Sequence, residues 1–550
     1  MTKTGSAKLL PSSFTSDLCR LVLAIVLLAL TAIVQLPVAV KILFTLLAIL
    51  ILLLHKRNPE GFTNLETGMV CFAVAIGVIG VCSKSSFLYP LNDWVDANCF
   101  FTVGKSMMNG LVVYRDLLEQ KGPFLYFLHG LAWLISNDSF IGVFFLEILS
   151  ATFFLYFTYR CLCLFIESIW AVFLIPVCAL AVYTSTAFYH GDSVEELVLP
   201  FLTYAMWIGM DAICNKRDIT NLEYLLVGMT SGLIFWSKFT IVGFYIGWYI
   251  FPAVKYIREK KWKAFLLSIL FIVLGVAVAT LPFVIYFGYQ HAISDWLTVY
   301  LYDNIFKYSS VTEQNTIIGP IKHIINGTRQ TMTDNPIIVT MCGIGVLYFL
   351  FCHAAIALYL VLTAGFMLSC TFVGGIFIPY YSFPVCLFFS FALIPIVNGI
   401  FLYQKPVRPL LPKRKHLIAI TALVIVLCYA FTPNGYLLGT KKEELPQYQF
   451  ASIIGDDGSA TLLNYGFLDG GFYTVTNTIP NCRVFCKLNI TPDELLIIQD
   501  EYVTQGHTEY VVTRDYLLPH SNYTIISERN FINEDLNFTY RLYQLVSEAS

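Results

Sequence analysis

The residues able to do chemistry in this chain gather in a few short stretches. Asp93-Trp94-Val95-Asp96 is followed by Gly110-Leu-Val-Val-Tyr114-Arg115-Asp116 and then by Glu119-Gln120-Lys121-Gly122-Pro123. The spacing of Asp93 and Asp96 places both carboxylates on one side of a helical turn, where mutual repulsion could raise one toward the range of a useful base. Such a group could take a proton from a hydroxyl. A structural reading stands beside it: Asp93 or Asp96 caps an amphipathic helix running through Phe100 and Met107.

A second stretch, His190-Gly191-Asp192-Ser193-Val194-Glu195-Glu196, stacks three acids and an imidazole between two apolar runs. Asp192 or Ser193 can cap the next helix, with Glu195 and Glu196 favourable at its positive end; the same acids could instead contact substrate. His190 with a carboxylate could ligate a divalent cation, but the spacing carries no HExxH-like pattern, so the metal is left open. Lys238, isolated in an apolar run, either snorkels or meets an anion, and with Lys121 and Arg115 it could face a phosphate. Tyr380 and Tyr381 read as interfacial belt residues or as substrate contacts.

The elements that must position these residues are membrane helices. The 550 residues are 57% hydrophobic and 13% charged, against a charged share of about 25% in soluble chains. Mean hydropathy is +0.69, and the apolar runs extend over most of the sequence, which reads as a polytopic α-helical membrane protein. A formal net charge of -2 gives no basic surplus for a phosphate backbone, so no nucleic-acid partner is expected. Membrane lipids are.

About thirteen spans are expected, near 19–36, 38–54, 68–84, 139–160, 169–188, 197–213, 222–237, 239–256, 264–287, 336–352, 354–372, 383–403 and 417–432. Leu21 to Leu54, which follows Lys3, Lys8 and Arg20, outruns the apolar region of a signal peptide and reads as an uncleaved hairpin. His55-Lys56-Arg57, Arg160, Lys216-Arg217, the loop from Lys255 to Lys263 and the loop from Lys405 to Lys415 then share one side with the N-terminus. That side is cytoplasmic. The threading requires Pro123 to Ser136 to be interfacial or re-entrant. It places outside a first loop near 85–138, the turn from His190 to Glu196, a loop near 288–335 and the tail.

The expected domains are 1–432 in the membrane and 433–550 as a small extracytoplasmic α/β domain. In the tail, Asp456-Asp457-Gly458 and Asp469-Gly470-Gly471 mark turns, Tyr510 to Thr513 and Tyr523 to Ile526 are β-prone, and Thr491-Pro492 with Glu494 opens a helix. The sequons at Asn137, Asn326, Asn489, Asn522 and Asn537 fall on the outer side. Most of the 15 cysteines, including Cys71, Cys178, Cys342, Cys370 and Cys428, lie in apolar runs as small hydrophobes. Cys482 and Cys486 are close enough for a disulfide but lack the paired CxxC of a zinc site.

An acidic first exterior loop, an amphipathic segment ending in Gly110, then Tyr114-Arg115-Asp116 and Lys121-Gly122-Pro123 resembles the GT-C superfold of polyprenyl-phosphate-dependent glycosyltransferases. It resembles especially the bacterial branch akin to protein O-mannosyltransferases and lipid A aminoarabinose transferases. The resemblance covers roughly the first 430 residues by topology. It implies that Asp96 is the catalytic carboxylate, with the part of Asp93 open. It implies that Lys121 faces the lipid phosphate, joined by Arg115 or Lys238. It places Asp116, Glu119, His190, Asp192, Glu195, Glu196, Tyr380 and Tyr381 at the substrates. Some members bind a metal through acids and histidine, so a divalent metal is a possible cofactor.

The activity so implied is transfer of a hexosyl or pentosyl group, with inversion, from a polyprenyl-phosphate-linked sugar to a glycan, lipid or protein acceptor of the cell envelope. A transporter or flippase for a lipid-linked sugar would share an apolar groove. It would also carry ionisable groups at mid-membrane and repeated halves; Glu147 is the main candidate of that kind, and no repeat is visible. A noncatalytic lipid-binding relative is the third class.

Overall fold

The computed structural model describes residues 12–33, 35–54, 62–307, 318–403, 413–490, 492–533 and 536–546. Thus Lys3, Lys8, His55-Lys56-Arg57, Lys405, Arg408 and the capping residue Thr491 lie outside the described residues. In the first half the helices are α1 Ser12–Leu30, α2 Val38–Leu53, α3 Asn64–Cys82, α4 Val95–Met108, α5 Pro123–Trp133, α6 Ile141–Leu162, α7 Ser168–Tyr183, α8 Val194–Cys214, α9 Asn221–Lys238 and α10 Gly243–Arg258. They continue with α11 Trp262–Tyr289, α12 Ile293–Leu297, α13 Gly319–Asp334, α14 Pro336–Cys352, α15 Ala354–Phe372, α16 Leu393–Tyr403 and α17 Arg414–Phe431. The tail adds α18 Pro446–Ile454, α19 Phe472–Val475, α20 Pro492–Thr504 and strands β1 Leu462–Asn464, β2 Tyr510–Arg514, β3 Tyr523–Asn533 and β4 Leu536–Leu545.

Among the described residues, eight helical stretches are long and apolar enough to cross a bilayer, or nine if α13 and α14, bent by 106°, form one broken span. The chain is a multi-pass membrane protein. Leu266, Val273, Leu281 and Ile285 of α11 are more than half exposed, the expected state of side chains that face lipid rather than water. The 38-residue stretch Asn221–Arg258 is two antiparallel arms, because the Tyr224 hydroxyl near its start donates to the Tyr256 hydroxyl near its end at 3.1 Å. The chain reverses just after Lys238, through a short 3-10 turn at Phe239–Val242. On α9 and α11 close packing replaces hydrophobic force as the adhesive: a Cβ on Gly228 would lie 2.3 Å from the Ile272 carbonyl oxygen, and one on Gly275 2.2 Å from that of Leu225.

Helix starts follow local chemistry. Thr63 with Glu66 and Thr220 with Glu223 form capping boxes, each satisfying two backbone donors that a helix start leaves unpaired. The short apolar run after Lys121 is an 11-residue helix beginning at Pro123, too short for a full crossing. The stretch expected as a loop near 288–335 instead holds α12, a π-helical turn at Thr298–Lys307 and α13. The bend after α13 is pinned by Asn335, which accepts from the Ala187 amide at 3.0 Å and donates to Ser382 at 3.3 Å.

The tail folds around a four-stranded sheet of order β1-β2-β4-β3. Strands β1 and β2 pair in parallel, whereas β4 pairs antiparallel with both β2 and β3. Both β-prone runs form strands, and Pro492 opens α20. Gly458 and Gly471 take positive φ of 77° and 87° at the marked turns, a conformation that costs glycine little.

Candidate functional site

The site is built around the start of α4. Trp94 occupies its N-cap without a side-chain cap bond, so neither Asp93 nor Asp96 serves as the cap. Asn92 shapes the entry instead, accepting from the Trp94 amide at 3.1 Å, while Asn98 donates to the Asn92 and Trp94 carbonyls at 2.8 and 2.9 Å. The two acids then part company. Oδ2 of Asp96, in the first turn, accepts from the Tyr380 hydroxyl at 2.8 Å. Asp93, outside the helix, is ion-paired with the buried Lys84 and accepts from the Tyr436 hydroxyl at 2.8 Å. The expected shared helical turn is therefore corrected: the helix begins at Val95, and each carboxylate has its own partners.

The Lys-Gly-Pro segment is fixed from three sides. The Lys121 amide donates to Glu119 Oε2 and to the Tyr126 hydroxyl, both at 2.8 Å, and its carbonyl accepts from the Tyr114 hydroxyl at 2.7 Å. Gly122 passes against the end of α9, its amide donating to the Ser237 carbonyl at 3.0 Å. A Cβ there would stand 2.0 Å from the Trp236 oxygen. Pro123 follows at the first helical position, where its missing N–H is no loss. Glu119 is buried, and burial pushes its carboxyl up to about 7 against the opposing pull of Lys121.

Lys121 and Lys238 line one cavity of about 280 Å³ with Tyr381, Tyr300, Asn304 and Gly374. Lys238 is ion-paired with Glu195, and its ammonium lies over the Tyr381 ring, 3.2 Å from the centroid. The same ammonium lies 5.3 Å from the centroid of the Tyr380 ring; Tyr380 reaches Asp96, and Tyr381 lines the cavity. Arg115 does not join them. It is exposed, bound to Asp116 at 2.8 and 2.9 Å and to the Gln290 carbonyl at 2.7 Å. Asp116 in turn accepts from the Val112 amide at 2.8 Å, so this pair closes its own loop away from the cavity.

The acidic turn before α8 is largely structural. Ser193 caps the helix, accepting from the Glu196 amide at 3.1 Å. Asp192, at φ 59°, accepts from His129 Nε2 at 3.0 Å, and its amide donates to Glu147 at 2.8 Å and Glu196 at 2.9 Å. Ser83 donates to both Glu147 oxygens at 2.8 and 2.7 Å. Glu147 is therefore tied to an end-of-helix network. The His190 ring lies tilted against Trp94, centroids 5.6 Å apart, and against Tyr189, 3.7 Å apart, and burial holds it well below the ordinary imidazole range. Among the described residues no group of three or more His, Cys, Asp or Glu side chains is placed to hold a metal ion.

Lys84, Tyr436 and His129 are among the site residues that the sequence did not single out, as are Tyr126, Tyr300 and Asn304. Lys84 carried a signal: an ammonium directly after an apolar run in a chain poor in charge. Tyr436 carried none, arriving from the tail. The tail also holds α4 along its length, with Asp469 accepting from Thr102 at 2.7 Å, Lys105 donating to the Tyr473 carbonyl at 2.8 Å and Thr474 to Asn98 at 3.2 Å. Burial pushes Lys105 down to about 7 and Asp469 up to about 6.

No family model and no curated protein sequence matches this chain. Among solved structures, ArnT from Cupriavidus metallidurans bound to undecaprenyl phosphate superposes with a TM-score of 0.53 at 10% identity, over 86% of this chain and 97% of that one. The same protein in the apo state gives 0.53 and 10%, over 87% and 96%. At that identity the likeness carries the fold alone: the multi-pass helical bundle with a small C-terminal sheet domain has an ArnT-like architecture.

Proposed function

We propose that this chain is an integral-membrane glycosyltransferase that moves a sugar from a polyprenyl-phosphate donor to an acceptor of the cell envelope. The observation that carries the reading is a chain of contacts: Asp96 accepts from Tyr380, the ammonium of Lys238 lies 5.3 Å from the centroid of the Tyr380 ring, and Lys238 lines a cavity with Lys121. A lipid-phosphate sugar needs apolar walls for its tail and polar chemistry for its head. Tyr380 occupies Oδ2 of Asp96, which leaves Oδ1 to accept a proton from the acceptor hydroxyl. The hydroxyl oxygen then bonds to the anomeric carbon as the carbon–oxygen bond to phosphate breaks on the opposite face, inverting the configuration. Lys121, with Lys238 partly neutralised by Glu195, meets the charge that develops on the departing polyprenyl phosphate.

In this reading residues 1–432 form the membrane domain and 433–550 the extracytoplasmic domain, with the N-terminus in the cytoplasm. The basic loops sharing one side support that orientation. The likeness to ArnT, bound in one crystal to undecaprenyl phosphate, supports the lipid class of the donor. The test is transfer of radiolabelled sugar from polyprenyl phosphate by wild type and Asp96→Asn in proteoliposomes. A fall of about 10²-fold or more is expected for removal of a general base; equal transfer would remove the assignment, and translocation without glycosylated product would favour a transporter.

A further inference from the structure

We propose that Cys99 and Cys486 form a disulfide that ties the tail domain to the helix carrying Asp96. Their sulfurs stand 3.6 Å apart although the residues are 387 positions apart in sequence. Both are buried. Cys99 lies one turn beyond Asp96 on α4, beside the stripe of Asn98, Thr102 and Lys105 whose side chains bind the tail. The sulfurs therefore face each other inside an interface closed on both sides by hydrogen bonds. A disulfide requires about 2 Å between sulfurs, so the two must draw together for the bond to form. The sequence pointed to Cys482 as the partner of Cys486; among the described residues the sulfur that faces Cys486 is that of Cys99.

The inference rests on the proposed outward placement of the tail, since disulfides persist in oxidising compartments. The oxidant is a disulfide of the exchange class, carried by a small molecule or a protein. One Cys486 thiolate attacks a donor sulfur and expels one donor thiolate. The Cys99 thiolate then attacks the Cys486 sulfur of the mixed disulfide and expels the second. Two protein thiols lose two protons and two electrons, one S–S bond forms, and the donor disulfide is reduced to two thiols. Because both sulfurs end up buried, the exchange takes place before the interface closes or during its transient opening.

The test uses the full-length protein in cells, with free thiols trapped by N-ethylmaleimide under denaturing conditions and peptides mapped by mass spectrometry without reduction. A peptide joining Cys99 to Cys486 is expected, lost on reduction, lost in Cys99→Ser and in Cys486→Ser, and retained in Cys482→Ser. In parallel, Ser459→Cys in an exposed turn reports on placement through a membrane-impermeant maleimide applied to intact cells. If Ser459→Cys is labelled and Cys99 and Cys486 are both alkylated, or Cys486 is joined to Cys482, the disulfide is overturned while the outward placement stands. If Ser459→Cys is labelled only after permeabilisation, the placement fails instead. The disulfide is then decided on purified protein incubated with oxidised glutathione just below its unfolding midpoint: the Cys99–Cys486 peptide sustains it, and its absence overturns it.

Discussion

The Tyr380 hydroxyl donates to Oδ2 of Asp96 at 2.8 Å across 284 positions of sequence. In the proposed mechanism that bond orients the carboxylate and leaves Oδ1 for the acceptor hydroxyl. Tyr380→Phe should keep the fold and lower transfer about tenfold, the worth of one hydrogen bond to a charged group, with the change in kcat rather than in KM for donor. A Tyr380→Phe rate equal to wild type in the radiolabelled assay would mean that Asp96 needs no such orientation.

Asp93 and Lys84 make a buried ion pair completed by Tyr436. Removing one member leaves a charge without its partner, at a cost of about 3–5 kcal/mol. Lys84→Met and Asp93→Asn should each lower the unfolding temperature in detergent, and the double variant should be less destabilised than their sum. Additive losses would show that the two groups do not depend on each other.

Glu119 supplies a pH dependence with a definite sign. Its carboxyl is pushed up to about 7 by burial, above the ordinary value near 4.3 that it regains on unfolding. Between those values the folded state holds more protons than the unfolded one, so stability falls as pH rises from about 4.5 to about 7 and levels off above. The loss is on the order of 3 kcal/mol. Melting curves across that window should show the decline in wild type and a flatter profile in Glu119→Gln, which keeps an acceptor for the Lys121 amide.

Gly122→Ala places a methyl group 2.0 Å from the Trp236 carbonyl oxygen. Backbone cannot yield there as a flexible side chain would, so Lys121 must move with its loop. The expected cost is about 1–3 kcal/mol of stability, together with a raised KM for the polyprenyl-phosphate donor. Unchanged melting and donor KM would show that the loop has slack the structure does not display.

What the sequence by itself determined is what periodicity and local chemistry encode. Apolar runs marked the chain as a multi-pass helical membrane protein, Asp192 or Ser193 announced the start of α8, Pro123 the start of α5, and the β-prone runs of the tail the strands β2 and β3. These depend on neighbours within a turn or two, so a linear reading reaches them. The tertiary structure alone decided which charged groups meet. Asp93 and Asp96 looked equivalent at a spacing of three until the helix began between them and Lys84 claimed one while Tyr380 took the other. Arg115 looked like a phosphate ligand until its loop turned it onto Asp116. Lys121 and Lys238 came to share a cavity because a glycine let their segments touch. Partners separated by hundreds of residues are chosen by packing, since each buried polar group must find a mate wherever the fold brings one.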